Sequence, residues 1–116
     1  MSLSLTLIFE NAPVFGIRSD KVLGYDRITL GQVSRDCEVN LNKLATPLGL
    51  PLWNYEDEGL RLVETDPYGT PLTFVTAHQL AKSGFLKEVY SPEWKPALQA
   101  FVRLLPPATR IILWWS

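Results

Sequence analysis

The sequence contains one cysteine, one histidine and one methionine among its 116 residues, and each scarcity removes a class of function. Cys37 stands alone, so no intramolecular disulfide can form, whereas small exported domains ordinarily rely on several. One Cys and one His cannot build a zinc site without carboxylates, so neither a metal nor any other cofactor is expected. Gly24, Gly31, Gly49, Gly59, Gly69 and Gly84 stand singly, with no glycine-rich phosphate loop. No stretch reaches the roughly 18 apolar residues that span a bilayer. Met1 to Leu7 carries none of the basic residues that open a secretion signal, and the expectation is a cytoplasmic chain with no membrane partner.

Charge of one sign is also missing in bulk. The chain has 11 Lys and Arg against 12 Asp and Glu, a net charge of -1, and neither sign gathers into a block. Arg18, Lys21, Arg27 and Arg35, interleaved with Tyr25, are the one loose basic group, and Asp20, Asp26 and Asp36 lie among them. A nucleic-acid-binding groove is a further alternative, which the mixed charge of this stretch disfavours. Glu56, Asp57 and Glu58 are consecutive, so their side chains diverge and read as a solvated loop face.

Apolar residues are plentiful: 47% of the chain is hydrophobic and 11% aromatic, enough for one core in a chain of this length. Leu3, Leu5, Leu7 and Phe9 alternate with polar residues, only Ile8 breaking the pattern of a half-buried strand, and Val14 to Arg18 reads as a second short extended segment. Leu30, Val33, Cys37, Leu41, Leu44 and Leu48 are spaced three and four apart, which predicts a helix with Thr29 as N-cap, Gln32 completing a capping box, and Ile28 stapled to Val33. Thr46 to Asp57, with Pro47, Gly49 and Pro51, reads as an ordered loop over apolar surface. Leu60 to Thr65 and Leu72 to Val75, joined by Asp66-Pro67-Tyr68-Gly69, predict a hairpin.

A sharper signal opens the next helix. Thr76 is the N-cap, Gln79 completes the box, Val75 and Leu80 form the staple, and Gly84 is placed to end it, so the helix is expected from Ala77 to about Lys82. A further helix is expected to begin near Pro96, to bury Trp94, Ala97, Leu98, Phe101, Leu104 and Leu105, and to stop at Pro106 and Pro107. Thr109 to Trp115 is apolar on both faces, as in a strand inside a sheet or against a partner. Together these elements predict a single α+β domain over residues 1–116, with a mixed or antiparallel sheet and two to three helices.

No catalytic residue is assigned. Cys37 lies on the apolar helical stripe, where a small buried hydrophobe is the ordinary role. His78, at the second position of a capped helix, is a candidate binding residue, and a small hydrolase or ligand-binding enzyme would use it with Asp66 or Glu64 near the turn. The surplus lies in aromatics. Trp53, Tyr55, Tyr68, Tyr90, Trp94, Trp114 and Trp115 exceed what one face of a small sheet needs, and Trp and Tyr are frequent interface anchors. In a regular terminal strand Trp114 and Trp115 point to opposite faces, so one of them contacts a partner unless both faces of the sheet are covered.

The order of motifs resembles a family of small uncharacterised bacteriophage and prophage proteins whose function is not known. Tyr25, Asp26, Leu30, Gly31, Val33 and Arg35 are similar to its tyrosine-aspartate pair, small-residue helix start and valine-arginine step. Pro47, Gly49, Leu50 and Pro51 resemble its proline followed by Gly-Leu-Pro. Phe74, Val75, Thr76, Gln79 and Leu80 resemble its approach to a short helix, and Arg110 to Trp115 resembles its closing strand. Thr70, Pro71, Leu72 and Thr73 replace the family's histidine- and serine-rich stretch, and Ser116 replaces its Asp-Asn ending. The resemblance implies a shared fold and a phage- or prophage-type accessory protein but defines no site. The aromatic surplus, without a catalytic constellation, points to binding of another protein or a second copy of the chain, with Trp53, Tyr55, Tyr68, His78, Trp114 and Trp115 as the candidate binding residues.

Overall fold

The structure is a computed structural model and describes residues 4–10, 22–24, 26–56, 59–83 and 95–116. Its elements in chain order are β1 (Ser4–Phe9), β2 (Val22–Gly24), β3 (Asp26–Gln32), α1 (Arg35–Leu44), β4 (Thr46–Pro47), β5 (Leu52–Glu56), β6 (Gly59–Val63), β7 (Thr73–Thr76), α2 (Ala77–Lys82), α3 (Lys95–Leu104) and β8 (Arg110–Trp115). The architecture is α+β. A five-stranded antiparallel sheet runs β3-β1-β8-β7-β4, and a smaller sheet runs β2-β5-β6.

β1 and β8 are the centre of the large sheet, and their sequences explain why. Leu5, Leu7 and Phe9 lie opposite Trp115, Leu113 and Ile111 on one face, while Ile8 lies opposite Ile112 on the other. The first face packs with Val75, Cys37, Leu41, Ala77, Leu80, Leu98 and Val102 into the helix-side core. The second packs with Leu48, Leu52 and Leu72 beneath the small sheet. Both faces of the large sheet are thus covered, and β1 is buried on both sides rather than half-buried. Each aliphatic side chain so enclosed contributes roughly 1.5–3 kcal/mol.

The first helix begins later than its capping signals predict. Thr29 pairs with Thr6 inside β3, and pairing continues to Gln32 opposite Ser4. The ladder shifts register between Leu5 and Thr6, which leaves Leu30 as the extra residue, and Gly31 sits beside it at φ 75°, a left-handed conformation that glycine adopts without strain. Ser34 is the true N-cap, its side chain accepting from Cys37 N at 3.1 Å. The apolar stripe survives the change, because Leu30, Val33, Cys37 and Leu41 all reach the helix-side core, Leu30 from β3 and Val33 from the link between β3 and α1. Leu48 goes instead to the opposite core, and Leu44 is exposed.

The predicted loop from Thr46 to Asp57 contains β4 and β5. The Asp66–Gly69 turn forms, with Gly69 N donating to Asp66 O at 2.9 Å and a single bridge between Thr65 and Pro71. It does not close the expected hairpin within one sheet, because β6 pairs with β5 while β7 pairs with β8 and β4. The turn carries the chain from the small sheet to the large one. Val14 to Arg18, Gly84, Tyr90 and Trp94 lie outside the described residues.

The helix opening at Thr76 agrees with expectation. Its hydroxyl accepts from Gln79 N at 3.1 Å, and the Gln79 side chain accepts from Thr76 N at 2.9 Å. α3 starts at Lys95, next to the expected Pro96, and ends before Pro106. Its orientation differs from the prediction. Leu98 and Val102 face the core, with Leu105 packed against it, while Ala97, Phe101 and Leu104 turn outward.

Candidate functional site

α3 has the sequence KPALQAFVRL, and its composition explains both its helicity and its exposed face. Ala, Leu, Gln, Lys and Arg are good helix formers, and a proline in the first turn removes no intrahelical hydrogen bond. Leu98 and Val102, four residues apart, bury one side. Ala97, Ala100, Phe101 and Leu104 follow the spacing i, i+3, i+4, i+7 on the other, with Phe101 43% and Leu104 85% exposed. Apolar side chains on more than one side of a helix in an outer layer are unusual, since a helix apolar all round is ordinarily enclosed. The sequence carried this signal as an excess: the apolar residues of α3 are too many for one stripe.

Phe101 links the exposed face to the interior. Its ring stands edge-on to Phe9, with centroids 5.3 Å apart and planes at 89°. Beyond Phe9, Glu10 and Arg110 join the adjoining ends of β1 and β8: Arg110 Nη2 donates to Glu10 Oε1 at 2.6 Å and Arg110 N to Glu10 Oε2 at 3.1 Å. Arg110's hydrogen bond holds the Glu10 carboxyl below the usual glutamate range, against the opposing effect of burial, and the same bond raises the Arg110 guanidinium. Arg110 also lies 6.0 Å from the centre of the Phe74 ring. This pair is structural in its placement, since the two partners engage one another at the adjoining ends of two interior strands.

Two clefts bring together some of the residues singled out in the sequence. A cleft of about 390 Å³ lies between α1 and the Asp66–Gly69 turn, lined by Glu38, Asn42, Asp66, Tyr68 and Trp115 among others. Tyr68 is 52% exposed there, whereas Trp115 is 8% exposed and belongs to the helix-side core. Asp66, itself buried, is committed to the turn: Oδ1 accepts from Tyr68 N at 2.8 Å and Thr70 N at 3.1 Å. A second cleft of about 480 Å³ is lined by Arg61, Leu62, Glu64, Asp66, Pro67 and Trp114. Trp114 is half-buried against the core beneath the small sheet. Trp115 is thus enclosed, while Trp114 packs against that core and keeps part of its surface open to the cleft.

The remaining candidates are dispersed. His78 is exposed in the first turn of α2, its backbone N–H donating to Pro107 O at 3.2 Å, and it lines neither cleft. Asp66 precedes β7 and His78 follows it, so the length of that strand, roughly 13 Å for four residues, separates them. The structure does not bring His78 together with Asp66 or Glu64. Trp53 is half-buried in β5 opposite Leu62. Tyr55 belongs to β5, but its side chain lies outside the described residues.

Of the loose basic group, Arg27 is tied down: Nη2 donates to Gly24 O at 3.1 Å and to Asn54 Oδ1, joining β3 to the small sheet. Arg35 is exposed at the start of α1, and Arg18, Lys21 and Tyr25 lie outside the described residues. Cys37 is buried at 1% exposure in the helix-side core, the packing role read from its position. Among the described residues no group of three or more His, Cys, Asp and Glu is placed to hold a metal ion, and no helix is long and apolar enough to cross a membrane. Compared with known proteins, the chain matches no family model, no curated protein and no solved structure.

Proposed function

We propose that this chain is a protein-binding module, an accessory protein of the kind its resemblance to small bacteriophage and prophage proteins suggests, and that α3 presents the binding face. The observation carrying this reading is Leu104, 85% exposed at the end of an apolar stripe that also includes Ala97, Ala100 and the partly exposed Phe101. A contiguous apolar strip of this kind on a folded surface is costly in water and is a common mark of a contact site. Of the two tryptophans, one of them expected to make that contact, Trp115 is buried and Trp114 half-buried, and among the described aromatics Tyr68 is the most open.

Site-specific photo-crosslinking tests the reading. A benzophenone amino acid replaces Leu104 in one preparation and Arg61, exposed on β6, in another, and each is irradiated in lysate of the producing cell. The expected result is a discrete protein adduct from position 104 alone, competed away by excess wild-type chain and not by Leu104→Asp chain. No adduct specific to position 104, or equal competition by the Leu104→Asp chain, removes α3 as the binding face.

A further inference from the structure

The charge around α3 specifies the chemistry of what binds there, an inference that rests on the protein-binding reading above. α2 and α3 pack against each other and hold between them His78, Lys82, Lys95 and Arg103, with no carboxylate in either helix. His78, Lys82 and Arg103 are exposed. In a chain with 12 acidic residues and 11 basic ones, the two helices themselves carry no acid, and Glu88 and Glu93 belong to the stretch between them, outside the described residues. α1, for comparison, carries Asp36 and Glu38 in its first turn. Arg103 precedes Leu104 in α3 and lies toward the edge of the outward apolar sector formed by Ala97, Ala100, Phe101 and Leu104.

We propose that the outer face of α3 docks an amphipathic helical segment of another protein whose apolar stripe is flanked by carboxylates. Ala97 and Ala100 rise no higher than Cβ beside Leu104 and Phe101, a relief that admits the side-chain ridge of a second helix. Carboxylates at the margins of that helix would meet Arg103, with Lys82 at the end of the neighbouring α2 adding to the cationic side, and complementary charge fixes orientation and excludes basic competitors. A second copy of this chain fits less well, because it brings the same cationic groups toward one another across the contact. Exposed cationic side chains beside an apolar strip also fit an anionic bilayer, and that alternative is an outcome of the test.

The probe is a surface-displayed library of helical peptides about 18 residues long, long enough to hold a helix. Its leucines are fixed at i, i+3, i+4 and i+7, and its flanking positions are randomised equally between Glu and Lys. Full-length wild-type, Leu104→Asp and Lys82→Glu/Arg103→Glu chains serve as baits, each first shown by circular dichroism to be folded. With wild type, Glu is expected to be enriched over Lys by roughly tenfold at the flanking positions. Enrichment should disappear with Leu104→Asp and turn toward Lys with the double variant. Recovery of peptides that depend on Leu104 but show no preference for Glu overturns the acidic partner and leaves the binding face standing. Failure to recover any peptide that depends on Leu104 overturns both. Phosphatidylserine vesicles that sediment with wild type and not with Leu104→Asp assign the face to a membrane and overturn the acidic helix.

Discussion

The ring of Phe101 meets the ring of Phe9 edge to face, 5.3 Å between centroids, so one side of an outward-facing aromatic is fastened to the central strand of the sheet. This contact divides the exposed stripe of α3 into a residue that supports the fold and a residue, Leu104, that is almost wholly in solvent.

Replacing the two should therefore have opposite consequences. Phe101→Ala is expected to cost about 1–2 kcal/mol, from lost ring contact and partial burial. Leu104→Asp should stay within about 0.5 kcal/mol of wild type, as surface substitutions ordinarily do. Urea unfolding of both variants measures the difference, and a Leu104→Asp chain destabilised as much as Phe101→Ala would mean that Leu104 packs in solution.

Gly24 is required by proximity. A Cβ added there would stand 2.5 Å from Ile8 Cγ2 and 3.0 Å from Leu52 Cδ1, where the small sheet lies against β1. Gly24→Ala should destabilise by about 1–3 kcal/mol through overpacking. In an Ile8→Ala background, where the nearer atom is gone, the same change should cost clearly less, so a double-mutant cycle read by thermal unfolding distinguishes a clash from a general intolerance of change.

Stability should depend on pH through Glu10. Its folded-state value is depressed, chiefly by the Arg110 hydrogen bond, so on acidification the unfolded chain takes up the proton first. The stabilisation is present in full above the usual glutamate range and is lost as pH falls through the lower folded-state value. For a pair whose side chains are 24–25% exposed, the loss is expected to be about 1 kcal/mol. Glu10→Gln should lose that increment at neutral pH and show a flatter decline below about pH 4. Matched urea midpoints at neutral and acidic pH provide the comparison, and parallel curves for the two proteins would rule out Glu10 as the source.

Asp66 should prove replaceable by an acceptor without charge. Both side-chain hydrogen bonds in the turn go from backbone N–H groups to Oδ1, so Asp66→Asn preserves them in kind and Asp66→Ala does not. Ala is expected to cost about 1–2 kcal/mol and Asn less than half of that. Equal losses in chemical denaturation would show that the turn needs the charge itself.

The two caps can be compared in the same way. Thr76→Ala should destabilise by about 1 kcal/mol because both reciprocal hydrogen bonds of the capping box pass through Thr76. Ser34→Ala should cost a similar amount at α1. Amide exchange should show faster opening at Gln79 in the first variant and at Cys37 in the second, and unchanged exchange at those amides would contradict the assignment of the caps.

The residues themselves specified whatever is decided over a few positions. The capping box at Thr76 closes within four residues, so it was legible without any partner strand. β8 was legible too, because a strand apolar on both faces is stable only where both are covered. Tertiary structure decided what depends on distant pairing. Thr29 carries a helix-start pattern of the same kind as Thr76, though less sharp, and β1 competes for the same backbone: its ladder to Gln32 outweighs the local cap and moves the helix start to Ser34. The Asp66–Gly69 turn was readable as a turn, whereas its role as a crossing between sheets depended on β5 capturing β6. The binding candidates divided likewise: aromatic surplus was visible in the sequence, but coverage of β8 on both sides buried Trp115 and left Trp114 half-buried, and the rotation of α3 on Leu98 and Val102 sent Leu104 outward. Hydrogen bonds that close locally are encoded locally, while the facing of an apolar side chain is set by whichever distant surface reaches it.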